Sequence, residues 1–288
     1  MATNVSEYMD KLEICNLCPS EALEVVPDVN YPEPQKVKYH SVTNSERAFN
    51  IVLPLNYTPS KKYPVLYMLH GLFGNEDSMV DEDLGLITIA TNLMKEGEAK
   101  EMIIISPNEY APPEGKFVPP SPTPAHFEGY DNFIHDLVDY IMPYVESHYS
   151  VATGRENTAI CGFSMGGRNS LYIGYQRPDL FGYVAAFSPA PGVTPGKNFN
   201  GFHKGLIAED EFRADPSPIV TAISCGTDDH IVGQFPKSYH TILERNHQPH
   251  IWYEIPDADH DNVAITTGFY NFISSLFGIL NENYRNQW

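Results

Sequence analysis

Three short stretches of this 288-residue chain carry side chains that together could perform nucleophilic catalysis. The first is Gly162-Phe163-Ser164-Met165-Gly166, a G-x-S-x-G with a strand-like run (TAIC) before it and a helix-like run (NSLYIGYQ) after it. In that setting the pattern reads as a nucleophile elbow, a sharp strand-to-helix turn that lifts a serine hydroxyl above a sheet. Glycine two residues before and two after Ser164 suits such a turn, because a Cβ there would collide with the neighbouring strand or helix. A serine hydroxyl is a weak nucleophile, so it needs a base, which in turn needs an orienting acid. In elbow enzymes these follow the serine in the order acid, then histidine.

The second stretch, Gly226-Thr227-Asp228-Asp229-His230, follows an apolar strand-like run and offers the acid. Both aspartates qualify by position. Asp229 is preferred, since a carboxylate three residues beyond the glycine commonly turns inward at such a site, and Asp228 is the alternative. The third stretch, Pro256-Asp257-Ala258-Asp259-His260-Asp261, lies after the strand-like HIWYEI and before the last helix-like segment. That places His260 at the same sheet edge as Ser164 and makes it the candidate general base. Asp257, Asp259 and Asp261 read as solvating the loop. His230 directly follows the candidate acids, His240 and His247 fall on a helix-like segment, and His250 opens a strand.

Acyl transfer also needs two backbone N–H donors for the oxyanion. One is expected from Met165, the residue after the nucleophile. The other is expected from the turn His70-Gly71-Leu72-Phe73-Gly74, with Leu72 chosen and Phe73 next. His70 itself reads as a buried, hydrogen-bonded structural residue, because it precedes Ser164. No cluster has metal-ligand spacing, and there is no G-x-G-x-x-G or P-loop, so no cofactor is expected.

The elements that must hold these residues alternate along the chain. Strand signals fall at 36–42, 47–53, 64–70, 102–106, 158–162, 183–187, 219–225 and 250–255, and helix signals at 84–94, 133–149, 165–176, 235–246 and 263–280. Such alternation implies an α/β fold, a mostly parallel central sheet with helices on both faces, with ligands beyond the carboxyl ends of the strands. Residues 1–34, interrupted by four prolines, are expected to be an irregular N-terminal extension, and 35–288 the catalytic domain. The segment 111–130 holds six prolines and reads as a long loop whose Phe117, His126, Phe127 and Tyr130 could wall a phenolic ring or simply pack on the protein.

Composition bounds the rest. A 42% hydrophobic content supports a sizeable core, and the formal net charge of −19 disfavours nucleic acid and anionic membrane as partners. No apolar run reaches the roughly 20 residues needed to span a bilayer. Met1–Asp10 has neither a basic nor an apolar signal-peptide region. A cytoplasmic protein, or a mature secreted chain with an added start codon, would both fit. Asn4-Val5-Ser6 and Asn56-Tyr57-Thr58 are glycosylation sequons of a kind that arises often by chance. Cys15 and Cys18 form a lone C-x-x-C that cannot complete a zinc site and reads as plain thiols or a local disulfide, while Cys161 and Cys225 read as buried small hydrophobes.

The segments YPVLYMLHGLFGNEDS, FIHDLVDYIMPYVESHYSV, CGFSMGGRNSLYIGYQRPDLFGYVAAFSPAP, CGTDDH and DADHDNV, in that order, resemble carbohydrate esterase family one, in particular the feruloyl esterase modules of bacterial xylan-degrading enzymes. The resemblance runs from about residue 39 to 277. It implies an α/β-hydrolase fold, a Ser164–Asp229–His260 triad, no cofactor, and hydrolysis of feruloyl or acetyl esters on arabinoxylan by a secreted protein. The family commonly has a non-acidic residue before the triad aspartate, where this chain has Asp228, and often an aromatic after the oxyanion turn, where this chain reads GNEDSMV. An acetylxylan esterase is the nearest alternative. An S-formylglutathione hydrolase-like esterase, or a binding protein on a retired hydrolase fold, ranks lower.

Overall fold

Runs such as Val65–Leu69 and Ile103–Pro107 are buried at every position, as strands covered on both faces must be. They form the centre of an eight-stranded sheet in a computed structural model that describes residues 5–198 and 201–278. In chain order the strands are β1 (Gln35–His40), β2 (Glu46–Val52), β3 (Val65–Leu69), β4 (Ile103–Pro107), β5 (Thr158–Phe163), β6 (Tyr183–Phe187), β7 (Gly196–Asn198), β8 (Gly201–His203), β9 (Val220–Gly226) and β10 (Ile251–Ile255). The main sheet runs β1-β2-β4-β3-β5-β6-β9-β10. β1 and β2 join it antiparallel, and every other pairing is parallel. β5 sits at the middle, so its carboxyl end opens on the rim where α/β proteins place their ligands.

The helices are α1 (Val5–Met9), α2 (Ser20–Leu23), α3 (Leu86–Glu96), α4 (Pro124–Asp131), α5 (Phe133–Asp136), α6 (Met142–His148), α7 (Met165–Gln176), α8 (Phe235–Arg245) and α9 (Asn262–Ile273). They divide the core into two apolar layers. One packs α7, α8 and the α5–α6 segment on one sheet face, around Phe133, Leu171, Phe181 and Tyr239. The other packs α3 and α9 on the opposite face, around Leu86, Ile89, Phe269 and Phe272. A π-helical stretch, Leu137–Ile141, joins α5 to α6, so the helix expected over 133–149 is continuous with one widened turn.

Three local expectations change. Within 111–130, α4 replaces the end of the expected loop: Thr123 caps it by accepting from the His126 N–H, and Pro124 suits its first turn. Residues 1–34 were expected to be irregular, yet they contain α1 and α2. Tyr8, Met9, Cys18 and Ala22 are buried with the α3–α9 layer. Asn271 on α9 accepts from Cys15 N and donates to Cys15 O, and Thr267 accepts from Cys18 N. The antiparallel strand pair β7–β8 stands where no strand was expected. All four cysteines are free thiols, with Cys161 and Cys225 buried. The last helix was expected to reach Leu280, but α9 ends at Ile273, where Ser274 is its C-cap and turns follow; Leu280, the sequon residue Asn4 and the chain end lie outside the described residues. Among the described residues no helix is long and apolar enough to cross a membrane.

Candidate active site

Ser164 occupies the turn between β5 and α7 with φ +55° and ψ −113°, a strained conformation for a residue with a side chain. Three backbone hydrogen bonds hold it there. Its N–H donates to Phe187 O at 2.9 Å, and its carbonyl accepts from Arg168 N at 3.0 Å and Ala190 N at 2.8 Å. The flanking glycines are sterically required: a Cβ on Gly162 would lie 2.4 Å from the Gly166 carbonyl carbon, and one on Gly166 would lie 2.2 Å from Leu69 O. Ser164 is 9% exposed, so its hydroxyl lies in a recess at the rim.

Asp229, one turn beyond the end of β9, is buried and reaches across to the loop after β10. Its Oδ2 lies 2.7 Å from His260 Nδ1, while Oδ1 accepts from Ile231 N and Val232 N. Burial raises its pKa, but the His260 hydrogen bond and charge, the Ser188 hydroxyl and the Val232 amide outweigh that, so the carboxyl sits below its ordinary value and stays ionised. Asp228 is exposed and does not take this place. The His260 ring lies against Phe163, the residue before Ser164, at a centroid distance of 4.3 Å. The structure therefore brings Asp229 and His260 into contact beside the Ser164 turn. Asp257, Asp259 and Asp261 are solvent-facing, and Asp261 caps α9 by accepting from Val263 N and Ala264 N.

The turn after β3 borders the same recess. A Cβ on Gly71 would lie 3.6 Å from Ser164 Cβ. The Phe73 N–H donates to the Tyr130 hydroxyl at 2.9 Å and is thereby committed. Among the described residues the Leu72 N–H has no hydrogen-bond partner. Met165, the first residue of α7, has an N–H that no carbonyl of its own helix can accept. The Leu72 and Met165 amides thus have no backbone acceptor, in a turn and a helix start that both adjoin Ser164.

Beneath that turn lies a buried polar group that the sequence did not single out. Glu109 is fully buried and accepts from Asn169 Nδ2, which also donates to Tyr130 O. Burial pushes the Glu109 carboxyl well above the usual range, against the opposing pull of Asn169 and Arg168, so its ionisation is disfavoured. Arg168 forms a 2.7 Å ion pair with Asp131. Nothing in local spacing marks Glu109 or Asn169, because their contacts are made only in the folded chain.

The aromatics of 111–130 divide. His126 and Tyr130 are buried, with His126 stacked on Tyr110 at 4.3 Å. Phe117 stays exposed, and so does Phe73, which packs on His126 beside the recess. Among the described residues no group of three or more His, Cys, Asp or Glu side chains is placed to hold a metal ion.

The Esterase family model matches residues 40–255. A CE1 ferulic acid esterase from Anaeromyces mucronatus, solved in complex with ferulic acid, is 59% identical, superposes with a TM-score of 0.92, and covers 94% of this chain and 100% of its own. An endo-1,4-beta-xylanase/feruloyl esterase from Xylanibacter ruminicola is 31% identical over 173 residues, which is 56% of this chain and 22% of the relative. Endo-1,4-beta-xylanase Y from Acetivibrio thermocellus is 29% identical over 163 residues, 52% of this chain and 13% of the relative. The chain thus matches less than a quarter of the length of these two curated relatives.

Proposed function

The chain belongs to the Esterase family, and within it to carbohydrate esterase family one, and from that premise we propose that it is a serine esterase releasing feruloyl groups from plant cell-wall arabinoxylan. The observation that carries the chemistry is the buried Asp229 carboxylate bonded at 2.7 Å to His260, beside a serine held at positive φ. The substrate class is supported by the 59% identity, over the full length of that chain, to a ferulic acid esterase.

In this mechanism Ser164 Oγ attacks the ester carbonyl carbon and His260 takes its proton. Asp229 fixes the proton-bearing Nδ1 and stabilises the imidazolium that forms. Leu72 N–H and Met165 N–H hold the oxyanion. Collapse of the tetrahedral intermediate breaks the acyl–oxygen bond, passes the proton from His260 to the departing sugar oxygen, which leaves as a hydroxyl, and leaves feruloyl-Ser164. Water then repeats the cycle, with His260 as base, and releases ferulate. Xylan is too large to cross a cell membrane, so a protein acting on it works outside the cell.

Methyl ferulate and acetylated xylan, assayed side by side, test the acyl preference. A pocket burying the feruloyl ring gains about 2–3 kcal/mol that acetyl cannot supply. Expressed in the transition state, this is roughly a 30–150-fold preference for feruloyl in kcat/KM. Equal rates, or a preference for acetyl, would reject the feruloyl reading and favour an acetylxylan esterase.

A further inference from the structure

His70 ends the run from β3 and is completely buried, with no contact to Ser164 or His260 that the mechanism uses. Both its ring nitrogens are nevertheless engaged. The backbone N–H of Glu109 points at Nε2 at 3.0 Å, and a backbone amide can only donate, so Nε2 is the bare, accepting nitrogen. The proton must then sit on Nδ1, which lies 2.7 Å from the Gly71 carbonyl oxygen and donates to it. Burial keeps this imidazole neutral, pulling its pKa down to about 4 against the opposing hydrogen bond to Gly71. The tautomer is therefore set by a backbone group of a different strand end, β4, and not by solvent.

The Gly71 carbonyl and the Leu72 N–H belong to one peptide unit. That unit is planar and trans, so its C=O and N–H point in opposite directions. A hydrogen bond that holds Gly71 O on His70 therefore turns the Leu72 N–H to the opposite side of the turn, away from His70. Gly74 N–H also donates to Gly71 O, at 3.0 Å, closing the turn around the same oxygen. The fit is tight: a Cβ on Gly74 would lie 2.7 Å from His70 Nδ1.

We propose that His70 is a positioning residue for the oxyanion hole, its Nδ1–H aiming the Leu72 N–H into the site through the Gly71–Leu72 peptide plane. The proposal rests on the serine esterase reading above. It assigns His70 a role in kcat, since the bond it makes matters where negative charge develops and not where ground-state substrate binds.

The test uses a pair of amides. In His70→Asn the side-chain NH₂ occupies the place of Nδ1–H, keeps the bond to Gly71 O and abandons the Glu109 N–H. In His70→Gln the carbonyl oxygen takes the place of Nε2, keeps the Glu109 N–H and abandons Gly71 O. Melting temperature, kcat and KM for methyl ferulate, and Kd for ferulate are measured on both, beside Ser164→Ala. The expected pattern is crossed. His70→Gln loses about 10²-fold in kcat with KM and ferulate Kd unchanged, as a misaimed catalytic group does. His70→Asn keeps kcat within a fewfold of the native enzyme although it melts lower. Activity that follows melting temperature in both variants, or an undiminished kcat in His70→Gln, overturns the proposal. Imidazole ¹⁵N shifts of the native protein provide a readout independent of either variant's folding: a His70 protonated on Nε2 overturns it as well. Full activity in Ser164→Ala would instead refute the serine esterase reading itself.

Discussion

Replacing Asp229 by asparagine changes one atom at the centre of the site and leaves its shape alone. Asp229 Oδ1 accepts two backbone N–H groups, from Ile231 and Val232, and an amide NH₂ cannot take that place. The new side chain must therefore keep its oxygen there and turn its NH₂ to where Oδ2 now meets His260 Nδ1 at 2.7 Å. Two donors cannot share that contact. His260 gives up its Nδ1 proton and carries it on Nε2, the nitrogen required to receive the serine proton. The base is thus present, in place and blocked. A wrong tautomer of this kind costs about 10³–10⁴ in kcat, or about 4–5.5 kcal/mol of barrier. The assay is steady-state hydrolysis of methyl ferulate by Asp229→Asn, with Asp228→Asn as the control, since Asp228 is exposed and the imidazole bonds Asp229 instead. The expected result is a collapse of kcat in the first and near-native kcat in the second. Equal losses, or the larger loss in Asp228→Asn, would refute the assignment of the acid. The same pair reports on stability. Asp229 is held below its ordinary pKa, so its contribution is present above the unfolded carboxylate value of ~3.9 and is lost as pH falls through the lower folded value. The melting-temperature gap between native protein and Asp229→Asn should therefore narrow below about pH 4.

Glu109 gives the opposite sign. Its folded pKa is raised, so it favours folding below the unfolded glutamate value of ~4.3 and weakens it as pH rises above that value. Glu109→Gln should melt higher than native at pH 7, with a gain that shrinks towards pH 4, and a lower melting temperature at pH 7 would contradict a raised carboxyl pKa. Gly166→Ala drives a Cβ to 2.2 Å from Leu69 O and should lose both soluble yield and activity; a stable, active variant would show that the elbow tolerates what its geometry forbids. Gly71→Ala meets only ordinary contacts, 3.6 Å from Ser164 Cβ, so it should fold normally yet lose activity by crowding the recess, and thermal melting beside kcat/KM separates the two effects.

The placement of the candidate site residues was legible in the sequence because they lie beyond the ends of strands that announce themselves. Ser164, Asp229 and His260 each follow a short apolar run, and parallel strands deliver such ends to one rim. The separation of Asp229 from Asp228 was weaker in the sequence, since adjacent residues differ only in which way the turn after β9 faces them. Helix α4 was hidden because six prolines over 111–130 mask the Thr123-Pro124 start that Pro at a first turn permits. The paired strands β7 and β8 have three residues each, GKN and GFH, too short to show a period. The buried N-terminal segment and the His70–Gly71, Tyr130–Phe73 and Asn169–Glu109 bonds depend on which distant elements meet, and no window along the chain contains that information.

The central claim is a covalent feruloyl-Ser164 intermediate. Rapid acid quench of the enzyme with methyl ferulate, followed by intact-mass and peptide mass spectrometry, tests it directly. One added feruloyl group per chain, located on the peptide containing Ser164 and absent from Ser164→Ala, is the predicted result. An adduct on another residue, or undiminished turnover by Ser164→Ala, would contradict the account.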